Sequence, residues 1–424
     1  MADLVPLRAI RFDPKVVRLG GVLSPPYDVI SAEQQEALYG RDLRNIVRVD
    51  YGQGFPDDVP GVTDRYIRAR DHLDAWRQLG VLVQDESPSF YVSEHHFTAP
   101  SGGAQTRRGL FARVPALPWE QSELRPHERT LRGPKEDRLA LMRATRTQTS
   151  AVFAVWRTAP LLAALLDEVT SGPATAGGRT DGELGSEKHL LWVVDDPARV
   201  AAIRDAAAGA QLYVADGHHR YETAAAYAAE RAAAGDGATA DSQYALVHLC
   251  AADDPGISLL PTHRLLQQRP DAAYSLDDLW TRLDDRWDLE ALPDLVTAVA
   301  AAAAMRQSHH AIAVRSHEGS ALLSRPRRPT ASPRQALDVV VLEEEVLAPA
   351  GADADAIREG ALRYTRSIEE VDSAVTSRRS LLGFCLNAAT TSEMIAVADA
   401  GEVMPQKATY FYPKVPTGLV LSPL

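Results

Sequence analysis

Apolar residues recur along this chain at the spacing typical of strands and at the spacing typical of helices. Segments of the two kinds alternate for most of its length. Residues 212–215 form a continuous apolar run and residues 243–250 are mainly apolar, both of strand length, and residues 66–76 place apolar side chains at helical spacing before a glycine stop. Strands that alternate with helices are typical of α/β folds. We therefore predict an α/β fold of the mixed α+β type.

Shorter patterns predict single elements and a division of the chain. Residues 90–97 and 108–114 flank a glycine turn and predict a hairpin. The glycine-rich stretch over residues 170–188 predicts a loop or linker. Because the pattern changes beyond about residue 265, we predict one region over residues 1–265 and an α+β region over residues 266–424 that packs on it.

Composition restricts the classes of partner. The chain has 424 residues, of which 45% are hydrophobic and 24% charged, as in ordinary globular proteins. Its net charge of −12 opposes binding to nucleic acid or to anionic membranes. Two isolated cysteines, no leader-like N-terminus and no long apolar segment predict a cytoplasmic protein. A small phosphorylated ligand is compatible with this charge, because binding it needs only local cations.

The most informative stretch is Asp216-Gly217-His218-His219-Arg220, between an apolar run and an alanine-rich segment. We interpret it as the end of a strand, a tight turn and the start of a helix. Such a junction presents backbone N–H groups and the positive end of the helix dipole, and the Arg220 guanidinium fits two phosphate oxygens. The predicted ligand is a phosphate group.

The remaining side chains of this loop extend its chemistry. Asp216 can cap the helix, bind Mg²⁺ or hold a proton, and His218 and His219 can donate to oxygens. An ordinary capped turn has the same sequence features, and this alternative stays open.

A second charged cluster follows residue 126. Glu128 can accept a proton from a substrate hydroxyl, Lys135 can neutralise a transferred phosphoryl group, and Arg138 can bind a second phosphate. A charged helix N-terminus without catalytic function is the alternative reading of the same residues.

Three other segments carry candidate groups. Asp28 follows two prolines and is a second candidate carboxylate, with an ordinary entry turn as the alternative. His263 and Arg264 end a predicted strand, where α/β sheets border ligand crevices. Asp50 lies on another predicted strand, with its role unresolved. The aromatic tail over residues 404–414 either covers a pocket or packs on the fold.

Five motifs occur in order over nearly the whole chain. They are residues 25–31, His127-Glu128 with Lys135 and Asp137-Arg138, residues 215–221, residues 261–264, and residues 404–414. In this combination the chain resembles a full-length member of the bacterial family known as domain of unknown function 1015. The family name itself implies no activity.

The loop from Asp216 to Arg220 is also similar to the Asp-Gly-His-His-Arg loop of archaeal free-serine kinases, within the ParB/sulfiredoxin-like superfamily. This resemblance implies a ParB/sulfiredoxin-like nucleotide-binding core with a C-terminal α+β extension. It also implies that the loop binds phosphates of ATP, ADP or pyrophosphate, and that a carboxylate elsewhere activates a serine hydroxyl. The chain has neither the cysteine near this loop that sulfiredoxin chemistry needs nor a basic DNA-reading module.

We therefore predict a small-molecule phosphotransferase that makes O-phosphoserine from free serine, with Mg²⁺ and ATP, ADP or pyrophosphate as the donor. Glu128 is the predicted base, with Asp28 as the substitute, and Asp216 shapes the loop or binds Mg²⁺. The predicted phosphate-binding residues are Gly217, His218, His219, Arg220, Lys135, Arg138, His263 and Arg264. Two alternatives stay open: a non-catalytic, ParB-like nucleotide-binding switch and a metal-dependent phosphoester hydrolase. The chain is compatible with a homodimer.

Overall fold

The computed structural model describes residues 3–128, 132–267, 281, 283, 286–349 and 352–424. These residues form two compact units. The first unit comprises the described parts of residues 1–126, 130–258 and 413–424. The second comprises residues 127 and 128 with the described parts of residues 259–412.

This division differs in two respects from a single cut near residue 265. It falls after residue 258, and it assigns the C-terminal residues 413–424 to the first unit. The predicted division into residues 1–265 and 266–424 stays a prediction about domains.

The strands and helices of the described residues are numbered in chain order. The strands are β1 (Ile10–Phe12), β2 (Leu82–Gln84), β3 (Phe90–Thr98), β4 (Ala104–Pro115), β5 (Leu124–Arg125), β6 (Thr147–Gln148), β7 (Val152–Arg157), β8 (Ala176–Gly182), β9 (Gly185–Val194), β10 (Gln211–Asp216), β11 (Tyr244–Ala251), β12 (Ser258–Leu259), β13 (His263–Leu266), β14 (Asp288–Leu292), β15 (His309–Arg315), β16 (Ser320–Pro326), β17 (Leu362–Thr365), β18 (Leu382–Cys385), β19 (Phe411–Tyr412) and β20 (Ser422–Pro423). The α-helices are α1 (Leu19–Val22), α2 (Ala32–Arg41), α3 (Val47–Asp50), α4 (Arg65–Gln78), α5 (Arg132–Thr145), α6 (Pro160–Thr170), α7 (Pro197–Ala207), α8 (His218–Ala233), α9 (Leu295–Met305), α10 (Asp338–Val341), α11 (Ala354–Arg358), α12 (Ile368–Thr376) and α13 (Thr391–Asp399). Short 3-10 helices cover Tyr27–Val29, Trp119–Gln121, Asp241–Gln243 and Arg334–Ala336, and a π-helix covers Leu342–Leu347.

The first unit is built on an eight-stranded sheet in the order β5-β10-β7-β11-β4-β3-β9-β8. The pairs β5–β10 and β7–β11 are parallel, whereas the other neighbours are antiparallel. Val92, Ala154 and Val214 of this sheet pack in one apolar core with Tyr221 and Tyr227 of α8. The predicted mixed α/β class is confirmed.

The second unit contains a six-stranded antiparallel sheet in the order β14-β16-β15-β18-β13-β17. Leu265 and Cys385 on this sheet pack against Val371 and Ala374 of α12. The predicted α+β character of the C-terminal region is confirmed. Among the described residues, no helix combines the length and apolar character needed to traverse a lipid bilayer.

The local predictions succeed where the pattern is strong. The hairpin is formed by β3 and β4, whose register pairs Tyr91 with Phe111 and Thr98 with Ala104. The helix predicted over residues 66–76 is α4, and the apolar run at 243–250 is β11.

The prediction of a loop or linker over residues 170–188 is wrong. Most of this stretch forms β8 and the first half of β9, which pair as a hairpin at the edge of the sheet. A Cβ at Gly178 would lie 2.5 Å from the backbone nitrogen of Gly20 in α1, and one at Gly177 would lie 2.8 Å from Leu190. These glycines permit close packing, and the sequence pattern alone made them resemble a flexible segment.

The strand predicted at Asp50 is also wrong, because this residue ends the short helix α3. The Asn45 side chain favours the helical turn: its Oδ1 accepts from the Val47 backbone N–H at 3.0 Å, and its Nδ2 donates to the Leu23 carbonyl at 2.9 Å. This placement brings the Asp50 carboxylate into the interior of the first unit.

Candidate functional site

The predicted strand–turn–helix junction is present in the first unit. Strand β10 ends at Asp216, and α8 begins at His218. Gly217 between them has φ 90° and ψ 31°, which is the left-handed conformation that glycine adopts without steric cost. The first backbone bond of the helix runs from Tyr221 N–H to the Gly217 carbonyl, at 3.0 Å. The positive end of the α8 dipole therefore lies at this turn.

Asp216 does not cap the helix, because Gly217 is the N-cap residue and no side-chain cap is present. Its Oδ2 accepts from Arg220 Nη2 at 2.6 Å, and its Oδ1 accepts from Lys414 Nζ at 2.6 Å. Burial acts to raise the pKa of Asp216, but Lys414 and Arg220 together hold it well below its ordinary value. Asp216 is therefore an ionised carboxylate between two cations, and this environment does not fit a Mg²⁺ ligand.

Arg220 is directed into the protein. Its Nη2 pairs with Asp216, and its Nη1 donates to the backbone carbonyl of Ala151. The cavity beside it has a volume of about 30 Å³, which is room for a water molecule and not for a phosphate. Arg220 as placed stabilises the loop, and a direct contact with a phosphate would require it to leave one of these partners.

These charges belong to a larger group, which we call the Asp216 cluster. It consists of Tyr27, Asp28, Asp50, Arg138, Asp216, Arg220 and Lys414. Three carboxylates thus face three cations. Burial raises the pKa of Tyr27 to about 12, although the neighbouring Arg220 and Arg138 act to lower it. The hydroxyl of Tyr27 is therefore neutral and can donate a hydrogen bond at physiological pH.

Asp28 is the exposed member of the Asp216 cluster. It lies on the 3-10 helix Tyr27–Val29, and its charge acts on the buried guanidinium of Arg220. The structure thus brings this candidate base into the same unit and the same charge cluster as the phosphate loop. Its role as a base stays a prediction.

Asp50 is the most buried acid of the Asp216 cluster, with a fully buried side chain. Its Oδ1 accepts from Thr149 Oγ1 at 2.6 Å and lies 3.3 Å from Arg138 Nη1. Arg138 also donates from Nε and Nη2 to Asp137 Oδ2, at 2.8 and 2.6 Å, and lies over the ring of Tyr27. Arg138 therefore holds the carboxylates of Asp50 and Asp137 in place.

Three other predicted residues, Lys135, His218 and His219, lie at or near the start of α8. Lys135 pairs with Glu222, whose second oxygen accepts from Trp119 Nε1 at 2.8 Å. His218 is buried, with its ring 6.3 Å from that of Trp119, whereas His219 is half-buried. Lys135, His218 and His219 therefore belong to the same unit as the loop, and their phosphate contacts stay a prediction.

The remaining predicted residues belong to the second unit. His127 Nε2 lies 2.9 Å from Thr409 Oγ1, and Glu128 pairs with Met404 in a short parallel bridge. Burial lowers the pKa of Arg264, and the charges of Glu343 and Glu128 oppose that shift. The structure thus places Glu128 with Arg264 and assigns Asp28 and Glu128 to different units.

His263 and Arg264 open β13, an interior strand of the six-stranded sheet, and they come shortly after β12 ends at Leu259. His263 Nδ1 accepts from the Leu386 N–H at 3.3 Å, and burial lowers the pKa of this imidazole to about 4. Arg264 donates to the Thr262 carbonyl, and its Nη2 lies 3.8 Å from Glu343 Oε1.

Arg264 also lines a cavity with a volume of about 350 Å³. Arg306 and Arg327 line the same cavity, together with Asp338 and Glu393. Its volume falls in the range of small-molecule sites, and its lining is mainly polar. Three guanidinium groups against two carboxylates favour a ligand with an anionic group.

Sequence reasoning missed the roles of two residues. The sequence predicts a strand at Asp50, and it assigns Lys414 to a tail motif without predicting what this lysine contacts. Lys414 is 198 positions from Asp216, so no local pattern could have linked them. The only available signal was the order of motifs along the chain.

Fold and site together define a mixed α/β protein with a strand–glycine–helix junction and a partly buried charge cluster next to it. A family model described as "Protein of unknown function (DUF1015)" matches residues 4–340. The chain belongs to this family, as its motifs predicted. A search of curated proteins found no match.

Solved structures show remote similarity. They include a conserved hypothetical protein from Pyrococcus furiosus, at 14% identity and TM-score 0.36, with 73% of this chain and 94% of that chain covered. A free serine kinase in complex with AMP is similar at 13% identity and TM-score 0.36, with coverage of 73% and 92%. SbnI with a C-terminal truncation from Staphylococcus aureus is similar at 12% identity and TM-score 0.37, with 74% of this chain and 87% of that chain covered. TM-scores at this level do not support a shared fold or activity.

Proposed function

We propose that this protein is a small-molecule phosphotransferase that phosphorylates free serine, with ATP, ADP or pyrophosphate as the donor. The observation that carries the proposal is the junction of β10 and α8, where Gly217 in the left-handed conformation turns the chain into a helix N-terminus. Such an N-terminus favours phosphate through its backbone N–H groups and its dipole. The ParB/sulfiredoxin-like nucleotide-binding core implied by the resemblance is part of this proposal.

The serine hydroxyl, the carboxylates and the cations each have a defined role in the proposed reaction. The serine hydroxyl oxygen forms a bond to the terminal phosphorus of the donor, the bridging P–O bond breaks, and a carboxylate takes the hydroxyl proton. Glu128 and Asp28 are the candidate carboxylates. Donor oxygens lie at the first turn of α8, where Lys135 supplies positive charge and His219 a hydrogen-bond donor at the solvent side. Mg²⁺ enters bound to the donor phosphates, without Asp216 as a ligand.

The second unit supports the same class of ligand. Arg264, Arg306 and Arg327 line a cavity of about 350 Å³, and their guanidinium groups suit a carboxylate or a phosphate. The chemistry of recognition is the same for serine and for phosphoserine, since each carries at least one anionic group. A homodimer and a cytoplasmic location stay predictions.

A non-catalytic nucleotide-binding switch is the second candidate. The ion pair between Asp216 and Arg220 favours this candidate, because the pair stabilises the loop and does not require a catalytic role. A switch binds the donor without consuming it. A phosphoester hydrolase, the third possibility, releases inorganic phosphate without an acceptor.

The test is incubation of the purified full chain with Mg²⁺ and each donor in turn, with and without serine. Phosphoserine is measured by mass spectrometry, phosphate by a colorimetric assay, and donor binding by calorimetry. We expect phosphoserine with at least one donor, and loss of turnover with retained donor binding in Glu128→Gln or Asp28→Asn. Glu136→Gln, an exposed neighbour on α5, is the control.

Each alternative gives a different result in this test. Donor binding without product favours the switch, and phosphate release that does not depend on serine favours the hydrolase. If no donor binds and no product forms, the kinase proposal and the switch are both refuted.

A further inference from the structure

Two imidazoles and one carboxylate lie together on the eight-stranded sheet, outside the Asp216 cluster. His95 on β3 is the direct cross-strand partner of His189 on β9, and Glu187 precedes His189 by two positions. All three side chains therefore point to the same face of the sheet. One nitrogen or oxygen atom from each lies within 4.8 Å of the others, and each residue is at most 9% exposed.

Hydrogen bonds within the group do not satisfy every polar atom. His95 Nε2 lies 2.7 Å from Glu187 Oε2, and His189 Nε2 lies 2.8 Å from Thr180 Oγ1 and 3.9 Å from Glu187 Oε2. His189 Nδ1 is buried without a hydrogen-bond partner among the described residues. A buried nitrogen of this kind is costly and needs an explanation.

The β8–β9 hairpin makes room for the carboxylate. A Cβ at Gly182 would collide with Oε1 of Glu187, so only glycine at this position lets Glu187 turn inward. Gly178 on the same strand permits the backbone of α1 to close over the hairpin. The glycines that resembled a linker in the sequence thus build the pocket that holds these three groups.

Neighbouring charges have opposing effects on the binding of a cation by these three residues. Glu187 favours a cation, whereas Arg107 Nη2, which lies 3.4 Å from His95 Nδ1, opposes one. Arg107 is held by the Pro413 carbonyl at 2.7 Å and lies over the ring of Phe153.

We propose that His95, Glu187 and His189 bind one divalent transition-metal ion of the Zn²⁺ type, which ties the β8–β9 hairpin to β3. Two neutral imidazoles and a carboxylate are a donor set that such ions accept. When His95 coordinates the ion through Nε2, its ring proton lies on Nδ1. The 3.4 Å hydrogen bond from Arg107 Nη2 to His95 Nδ1 is then lost, because both atoms are donors. No step of the proposed phosphoryl transfer depends on this ion.

The test uses the full chain with a histidine-free affinity tag, first treated with a chelator and then titrated with Zn²⁺. Bound metal after gel filtration is measured by mass spectrometry, and Co²⁺ replaces Zn²⁺ for visible spectroscopy. We expect one ion per chain, a higher Tm with Zn²⁺ than in chelator, and Co²⁺ bands of a low-symmetry site. Glu187→Gln and His189→Gln should weaken Zn²⁺ binding by more than about 10-fold.

His248→Gln is the matched control, because His248 is a buried imidazole of the same sheet that binds Ser93 Oγ at 2.8 Å and is not one of the three proposed ligands. It should retain the ion. Circular dichroism in chelator checks that each variant folds, and Glu187→Asp, which keeps a carboxylate, should bind more tightly than Glu187→Gln. Absence of stoichiometric Zn²⁺ in the wild type, or equal binding in all variants, overturns the proposal.

Discussion

Replacing Gly217 with alanine tests the geometry of the phosphate loop. The backbone at this residue has φ 90°, which an L side chain adopts at a cost of about 1–2 kcal/mol. The added Cβ would also lie 2.7 Å from Nε and 2.9 Å from Cζ of Arg220. Arg220 must then turn away, which leaves Asp216 with Lys414 alone and adds about 3 kcal/mol. We expect a total destabilisation of about 4–5 kcal/mol.

Gly209→Ala is the matched control for this substitution. Gly209 has φ 110° in the same unit, but no atom lies within 4 Å of the position where its Cβ would be. It therefore shows the backbone cost alone, about 1–2 kcal/mol. The assay is urea unfolding of both variants and the wild type, followed by circular dichroism and tryptophan fluorescence. If Gly217→Ala costs no more than Gly209→Ala, the close packing of Arg220 on the turn is refuted.

Three further substitutions test other parts of the account. Lys414→Met leaves the half-buried Asp216 carboxylate with one cation, so urea unfolding at neutral pH should show a loss of about 3 kcal/mol in the free energy of unfolding; an unchanged value would contradict the pairing. His263 has its pKa lowered from 6.5 to about 4, so only the unfolded chain takes up its proton between these values. The wild type should lose about 3 kcal/mol relative to His263→Gln as the pH falls through this range, and parallel stability curves would refute this. Gly178→Ala places a Cβ 2.5 Å from a backbone nitrogen of α1 and should lower the Tm, unlike Gly237→Ala, whose Cβ has open space.

The junction at residue 217 could be predicted because its signals are local. An apolar run of strand length, an Asp-Gly pair and an alanine-rich segment follow one another directly, and the structure forms β10, the turn and α8 in that order. Alternation of strands and helices gave the fold class for the same reason. Such patterns report on which elements form and leave open which side chains meet.

The partners of the site residues depend on contacts between distant parts of the chain. Arg220 donates to the carbonyl of Ala151, which is distant in the sequence. The prediction that Arg220 binds a phosphate could not include this contact. We predicted a strand at Asp50, but the Asn45 side chain stabilises a helical turn instead. Glycines over residues 170–188 indicated flexibility, whereas the structure uses them for close packing. Tertiary contacts decided each of these outcomes.

The central claim is that the first turn of α8 binds phosphate. The most direct measurement is a crystal structure of the full chain with pyrophosphate. The account predicts density for the anion within hydrogen-bond distance of the backbone N–H groups of residues 218–220, with Asp216 still paired to Lys414. Density for the anion at another site, or none at a concentration that saturates binding in solution, would contradict it.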